Sequence, residues 1–254
     1  MLLRLPMEVL IILLPILIFS LCFHEFSHGY MAYRLGDHTA ARNGRLTLNP
    51  IAHLDPIGSL MILFVGFGWA KPVPVNPVNF SNPREDMMKV AFAGPASNLI
   101  LAFIGGLIMR FVNMVDIMQS EIFIQILYFF VFINISLAIF NLIPVAPLDG
   151  SQIFGNMISK NNPELAWKLQ FYGPKILMGL ILIGMVTPFS ILGFIMMPFI
   201  KTFVYLFTGI SIKAIEIKFL RHQFWRENSS LLKLLRNILL LIILIFLMYN
   251  LSNY

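Results

Sequence analysis

His24, Glu25 and His28 stand inside an apolar run, in the order His24-Glu25-Phe26-Ser27-His28. A helix turns about 100° per residue, so residues four apart lie one turn apart on one face. Two neutral imidazoles placed so can hold a zinc ion, and the glutamate between them can take a proton from a water bound there. Ionisable groups are expensive at membrane depth. Three together therefore point to a working site in preference to two core histidines and an ion-paired glutamate.

A catalytic zinc usually has three protein ligands and an open position. Cys22 lies two residues before His24, about 200° away around the helix, and cannot join the same ion. It reads as a small apolar filler. The other acids fall mostly in loops or at helix ends. The notable one is Asp149, in Asn141-Leu142-Ile143-Pro144-Val145-Ala146-Pro147-Leu148-Asp149-Gly150. The two prolines break a long apolar helix, and Gly150 lets the chain fold tightly beside the acid. Alone, Asp149 could be a helix-end residue on the cytoplasmic side. With His24, Glu25 and His28 at similar depth it is preferred as the third ligand.

The elements that must carry these residues are membrane helices. Of 254 residues, 58% are hydrophobic and 12% charged, with a mean hydropathy of +0.82. That composition is a polytopic membrane protein and excludes a soluble domain. No nucleic-acid motif accompanies the net charge of +6, which membrane loops explain. One cysteine excludes an internal disulfide framework.

Segments 8–32, 88–112 and 122–144 are of spanning length. The first resembles a signal peptide, but Ser20-Leu21-Cys22 is not a small-x-small cleavage site, so it reads as an uncleaved span. The run 172–209 is too long for one span. It reads as a helix, a tight turn near Thr187-Pro188-Phe189-Ser190, and a helix back. A last span over 236–251 makes about six. Residues 57–69 are apolar but short, and suit a re-entrant segment or a membrane-dipping hairpin. The alternation in Lys71-Pro72-Val73-Pro74-Val75-Asn76-Pro77 suits an extended edge strand able to pair with an unwound peptide, or an ordinary loop. Placing the N-terminus outside puts loops 33–87, 145–171 and 210–235 inside. With their bordering helix ends, they then hold every Lys and Arg of the 18 except Arg4 and Arg110. The basic stretch 211–236 reads as a helix on the anionic inner leaflet or as a linker.

His24 to His28 on a first span, with Asn141 to Gly150 matching NxxPxxxLDG, resembles the site-2 protease family of intramembrane zinc metalloproteases. Further stretches resemble its compact bacterial branch, which has no inserted PDZ domain. These are Gly44-Arg45-Leu46-Thr47-Leu48-Asn49-Pro50, His53-Leu54-Asp55-Pro56-Ile57-Gly58, Gly68-Trp69-Ala70-Lys71-Pro72-Val73-Pro74-Val75-Asn76-Pro77 and Gly94-Pro95-Ala96-Ser97-Asn98. The likeness covers about residues 15–200, and 211–254 departs from the short pattern.

The resemblance implies an all-α polytopic fold of about six transmembrane helices. It would have a three-helix catalytic core and a small membrane-associated β-hairpin or strand region after the first helix. A protease domain would occupy 1–210, with its core at about 8–150. A basic interfacial segment and a last span would fill 211–254. One zinc per chain would be bound by His24, His28 and Asp149, with Glu25 as general base. Asn98 and Asn141 match asparagines held to contact substrate or the oxyanion, although polar glue between helices suits them equally. His53 matches a histidine near the site, although capping of local backbone fits it better.

The implied activity is hydrolysis of peptide bonds within or near transmembrane segments of other membrane proteins. The implied place is a cell membrane, inner or plasma, crossed several times with the site toward the cytoplasm. The partners are the substrate and the bilayer, and the oligomeric state is open. A metal-binding or transport protein without peptidase activity is the alternative from another class.

Overall fold

The computed structural model describes residues 7–53, 71–115, 121–187 and 190–212. The expected re-entrant segment 57–69, the basic stretch beyond Ile212 and the span 236–251 lie outside the described residues. Among the described residues all regular structure is helical. The helices are α1 (Met7–Arg34), α2 (Thr39–Arg42), α3 (Pro50–His53), α4 (Pro83–Val115), α5 (Glu121–Asn141), α6 (Asp149–Asn161), α7 (Pro163–Val186) and α8 (Ile191–Thr208). A 3-10 turn covers Pro77–Asn79.

Four of these helices, α1, α4, α5 and α8, are long and apolar enough to cross a membrane. Helix α5 is the centre. Tyr128, Phe132, Ile133, Leu137 and Phe140 are all fully buried or nearly so. A helix apolar on every side must be covered on every side. Helices α1 and α4 pack against it.

The expected strand is not found among the described residues. Lys71–Asn76 is irregular, and Lys71 N–H donates to the His53 carbonyl at 2.7 Å. Proline at 72, 74 and 77 removes three donors from any ladder. Residues 54–70, which would supply a hairpin partner, lie outside the described residues.

The run 172–209 breaks where expected, between α7 and α8. The Ser190 hydroxyl restarts the helix by accepting the Gly193 N–H at 3.0 Å. The geometry after the break does not confirm the expected pair of crossings. Arg110, near the end of α4, donates to the Leu206 and Phe207 carbonyls at 2.6 and 2.8 Å. The Phe103 and Phe207 rings meet edge to face at 5.4 Å. The C-terminal ends of α4 and α8 therefore lie together, and α8 runs in the same direction as α4.

The chain thus enters α8 from the end of the bundle where α4 begins. Helix α7 is not one of the four spanning candidates. Its stretch 164–175 carries Glu164, Lys168 and Lys175 among Trp167, Phe171 and Tyr172, a mixture suited to an interface. A cavity of about 700 Å³ runs along this aromatic face and contains no metal-ligating side chain.

Candidate metal centre

The site sits where the second half of α1 crosses the first half of α4, opposite the start of α6. His24 and His28 share one face of α1, with ring centroids 4.6 Å apart. Gly94 on α4 allows the approach. A Cβ there would come within 2.6 Å of the His24 ring and closer still to His28 Nε2. The turn after α5 delivers Asp149 as the first residue of α6. A Cβ on Gly150 would collide with the Leu142 and Ile143 carbonyls, so only glycine permits this tight reversal. Arg84 then ties α4 to α6 through the Asn156 carbonyl and the Ser159 hydroxyl.

Each imidazole is oriented through Nδ1. His28 Nδ1 lies 2.7 Å from the Val90 carbonyl, which can only accept, so Nδ1 carries the proton. His24 Nδ1 lies 2.6 Å from Asn98 Oδ1. Both Nε2 lone pairs are thereby turned to the same point. They are 3.0 Å apart, and Asp149 Oδ2 lies 3.2 and 3.3 Å from them. Asp149 Oδ2 is buried and accepts no aligned hydrogen bond.

Three electron-rich atoms converging without protons between them call for a cation. Tetrahedral zinc, with bonds of about 2.0–2.1 Å to nitrogen and oxygen, places neighbouring donors about 3.3–3.4 Å apart. The observed edges are close to that, and the donor set is one zinc accepts.

Glu25 also reaches the centre, and its carboxylate groups with both histidines within 4.8 Å. Its Oε2 accepts the Val73 N–H at 3.2 Å, which turns the carboxylate toward the irregular segment. A cavity of about 260 Å³ opens there, lined by Glu25, His28, Val73, Met87, Asp149 and Gln152 among others. Asp37 anchors the same segment. It accepts the Asn76 N–H at 2.7 Å, the Asn79 side chain at 2.7 Å and the Thr39 N–H at 3.0 Å. Burial pushes the Asp37 carboxyl up, but these bonds outweigh it and hold it below the usual carboxylate range.

The other expected site residues lie apart from the cavity lining. Asn98 is fully buried behind His24. Asn141 is fully buried, and its Nδ2 donates to the Leu137 carbonyl at 2.9 Å. His53 Nε2 donates to the Thr47 carbonyl at 2.8 Å, the local capping expected of a loop histidine. Sequence reading missed the Val90 carbonyl, the Val73 N–H, Ser20 and Asn134. Main-chain partners leave no trace in residue types. Asn134, a lone amide amid apolar residues, was a usable signal.

The model of peptidase family M50 matches residues 104–184, the stretch containing Asp149. YwhC of Bacillus subtilis is 41% identical over 172 residues, covering 66% of this chain and 78% of that one. Rip2 of Mycolicibacterium smegmatis is 33% identical over 151 residues, covering 57% and 55%. Rip2 of Mycobacterium tuberculosis is 33% identical over 137 residues, covering 52% and 51%, so the chain spans about half of each Rip2 protein. All are named as zinc metalloproteases. No solved structure matches. With its apolar crossing helices and its relatives, the chain is a multi-pass membrane zinc metalloprotease and belongs to peptidase family M50, the site-2 protease family.

Proposed function

We propose that His24, His28 and Asp149 hold the zinc and that Glu25 is the proton acceptor. The reaction is hydrolysis of a peptide bond within or near a transmembrane segment of another membrane protein. The observation that carries this reading is the triangle of donor atoms, 3.0 to 3.3 Å on its edges, with Glu25 and a cavity beside it. Zinc held there supplies Lewis acidity, bringing a water's pKa toward neutrality and polarising a peptide carbonyl.

Glu25 takes the proton of the attacking water and returns it to the departing amine. The Val73 N–H keeps its Oε2 aimed while both transfers occur. A helical substrate hides its carbonyls in hydrogen bonds, so it must unwind locally. The irregular stretch 71–76 borders the cavity and offers backbone to an unwound strand.

The site end belongs on the cytoplasmic side. Arg34, Arg42, Arg45, Lys71, Arg84, Lys89 and Lys160 lie toward it, whereas Arg110 marks the other end of α4 and Lys201 lies past the middle of α8. This argument stands without the basic stretch beyond Ile212.

Purified protein should carry about one zinc per chain and cut a model transmembrane substrate. Glu25→Gln should lower cleavage by about 10²–10⁴-fold and keep the zinc. Asp149→Ala should weaken zinc retention. Full turnover by Glu25→Gln would overturn the assignment of the base.

A further inference from the structure

Behind His24 lies a chain of two buried amides whose orientations are dictated by main-chain carbonyls. Asn134 Nδ2 donates to the Phe130 carbonyl at 2.8 Å and to the Ser20 hydroxyl at 2.9 Å. A carbonyl can only accept, so the nitrogen of the Asn134 amide must face it and Oδ1 must face Asn98. Asn98 Nδ2 donates to that Oδ1 at 2.9 Å and to the Ser20 carbonyl at 3.3 Å. Asn98 Oδ1 is then turned to His24 Nδ1, 2.6 Å away. The end of the chain requires a proton on Nδ1 and leaves the Nε2 lone pair toward His28 and Asp149. Ser20, His24, Asn98 and Asn134 are all 0% exposed.

We propose that Asn134 is a positioning residue that selects the metal-binding tautomer of His24 by holding the Asn98 amide against a half-turn flip. A flipped Asn98 would present its NH₂ to Nδ1. The ring proton would then move to Nε2 and occupy the lone pair that a metal needs. His28 needs no such relay, because the Val90 carbonyl that holds its Nδ1 cannot flip. An amide in the middle of an apolar helix is costly, and this role accounts for its presence in α5. Asn134 touches neither donor triangle nor cavity and acts only through Asn98 and His24. The inference rests on His24 being a zinc ligand.

The test is the zinc dissociation constant of the full chain in detergent, by chelator competition, in a double-mutant cycle. Asn134→Leu alone should weaken zinc by about 10–100-fold, the usual effect of losing a partner behind a ligand. In an Asn98→Asp background either carboxylate oxygen accepts from Nδ1, so no flip can matter. There, Asn134→Leu should leave affinity unchanged or improve it, since it removes an oxygen facing a carboxylate. Equal weakening in both backgrounds is the result of a merely structural role and overturns the inference. Asn134→Ala, which only deletes atoms, carries the same expectations if the leucine variant does not fold.

The histidine ¹⁵N spectrum of the zinc-free wild type should show His24 with its proton on Nδ1, and a mixture of tautomers in Asn134→Ala. A wild-type proton on Nε2 overturns the relay. Wild type that binds no zinc would defeat the ligand assignment itself. Wild type that binds zinc, with Asn134→Leu unchanged, would defeat only the relay.

Discussion

The two ends of the helix bundle are held by different means. At the site end, α1, α4 and α5 are joined by directed bonds: His28 to the Val90 carbonyl, His24 to Asn98, and Asn98 to Asn134. At the other end, α4 and α8 are joined by Arg110 on two carbonyls and by the Phe103–Phe207 contact. In lipid, apolar surface scarcely distinguishes one helix neighbour from another, so close packing and scarce polar atoms set partner and direction. The site end uses many such atoms to place the donors. The far end needs one arginine, because it only has to keep two helix ends together.

The sharpest way to break the comparison is to ask which end each segment occupies. In a Cys22→Ser background, Asn162→Cys and Thr187→Cys should react with a membrane-impermeant thiol reagent from one face, and Ser211→Cys from the opposite face. The expected crossing pair over 172–209 demands the reverse, with 162 and 211 on one face and 187 on the other. That pattern would return α8 to the opposite direction.

Gly94→Ala tests the precision of the site end. The added methyl enters the space of both imidazoles. It should cost about 1–3 kcal/mol of stability by overpacking. Zinc affinity should fall further than the unfolding temperature implies. An undisturbed zinc affinity would show that α4 does not need its close approach.

Asp37→Asn should cost about 1.5–3 kcal/mol at neutral pH, the range for hydrogen bonds to a charged group. The folded pKa of Asp37 is held below its unfolded value of about 3.9. Its contribution is therefore present above that pH and lost as pH falls through the folded value. The melting-temperature gap between wild type and variant should narrow in acid below about pH 4. A gap independent of pH would remove the charge from the account.

Arg110→Ala should show the smallest effect, about 0.3–1 kcal/mol as for a cation at a helix C-terminus, with zinc affinity unchanged. A loss of zinc from this variant would couple the two ends and erase the contrast.

The same contrast explains what the sequence revealed. His24, Glu25, His28 and Asp149 were legible because ionisable groups at depth are rare and their chemistry is specific. The break between α7 and α8 was legible through its proline and capping serine. The pairing of α8 with α4 was not, because hydropathy gives the length of a span but not its neighbour. Arg110 looked like a stray charge at a helix end. Asn98 allowed two roles, and its place behind His24 depends on a contact 74 residues away in the chain. The alternation in 71–77 suggested a strand, but an edge exists only when a partner offers one.

Glu25 meets the Val73 N–H, and three residues further along the Asn76 N–H meets Asp37. Glu25, the proposed proton acceptor, is thus moored, through one short stretch of backbone, to a carboxylate beyond the end of α1. Because Asp37 is held below the usual carboxylate range, it keeps its charge at any ordinary cellular pH. The mooring is a strut and not a switch, and in the proposed reaction it would keep Glu25 aimed while substrate backbone comes and goes beside it.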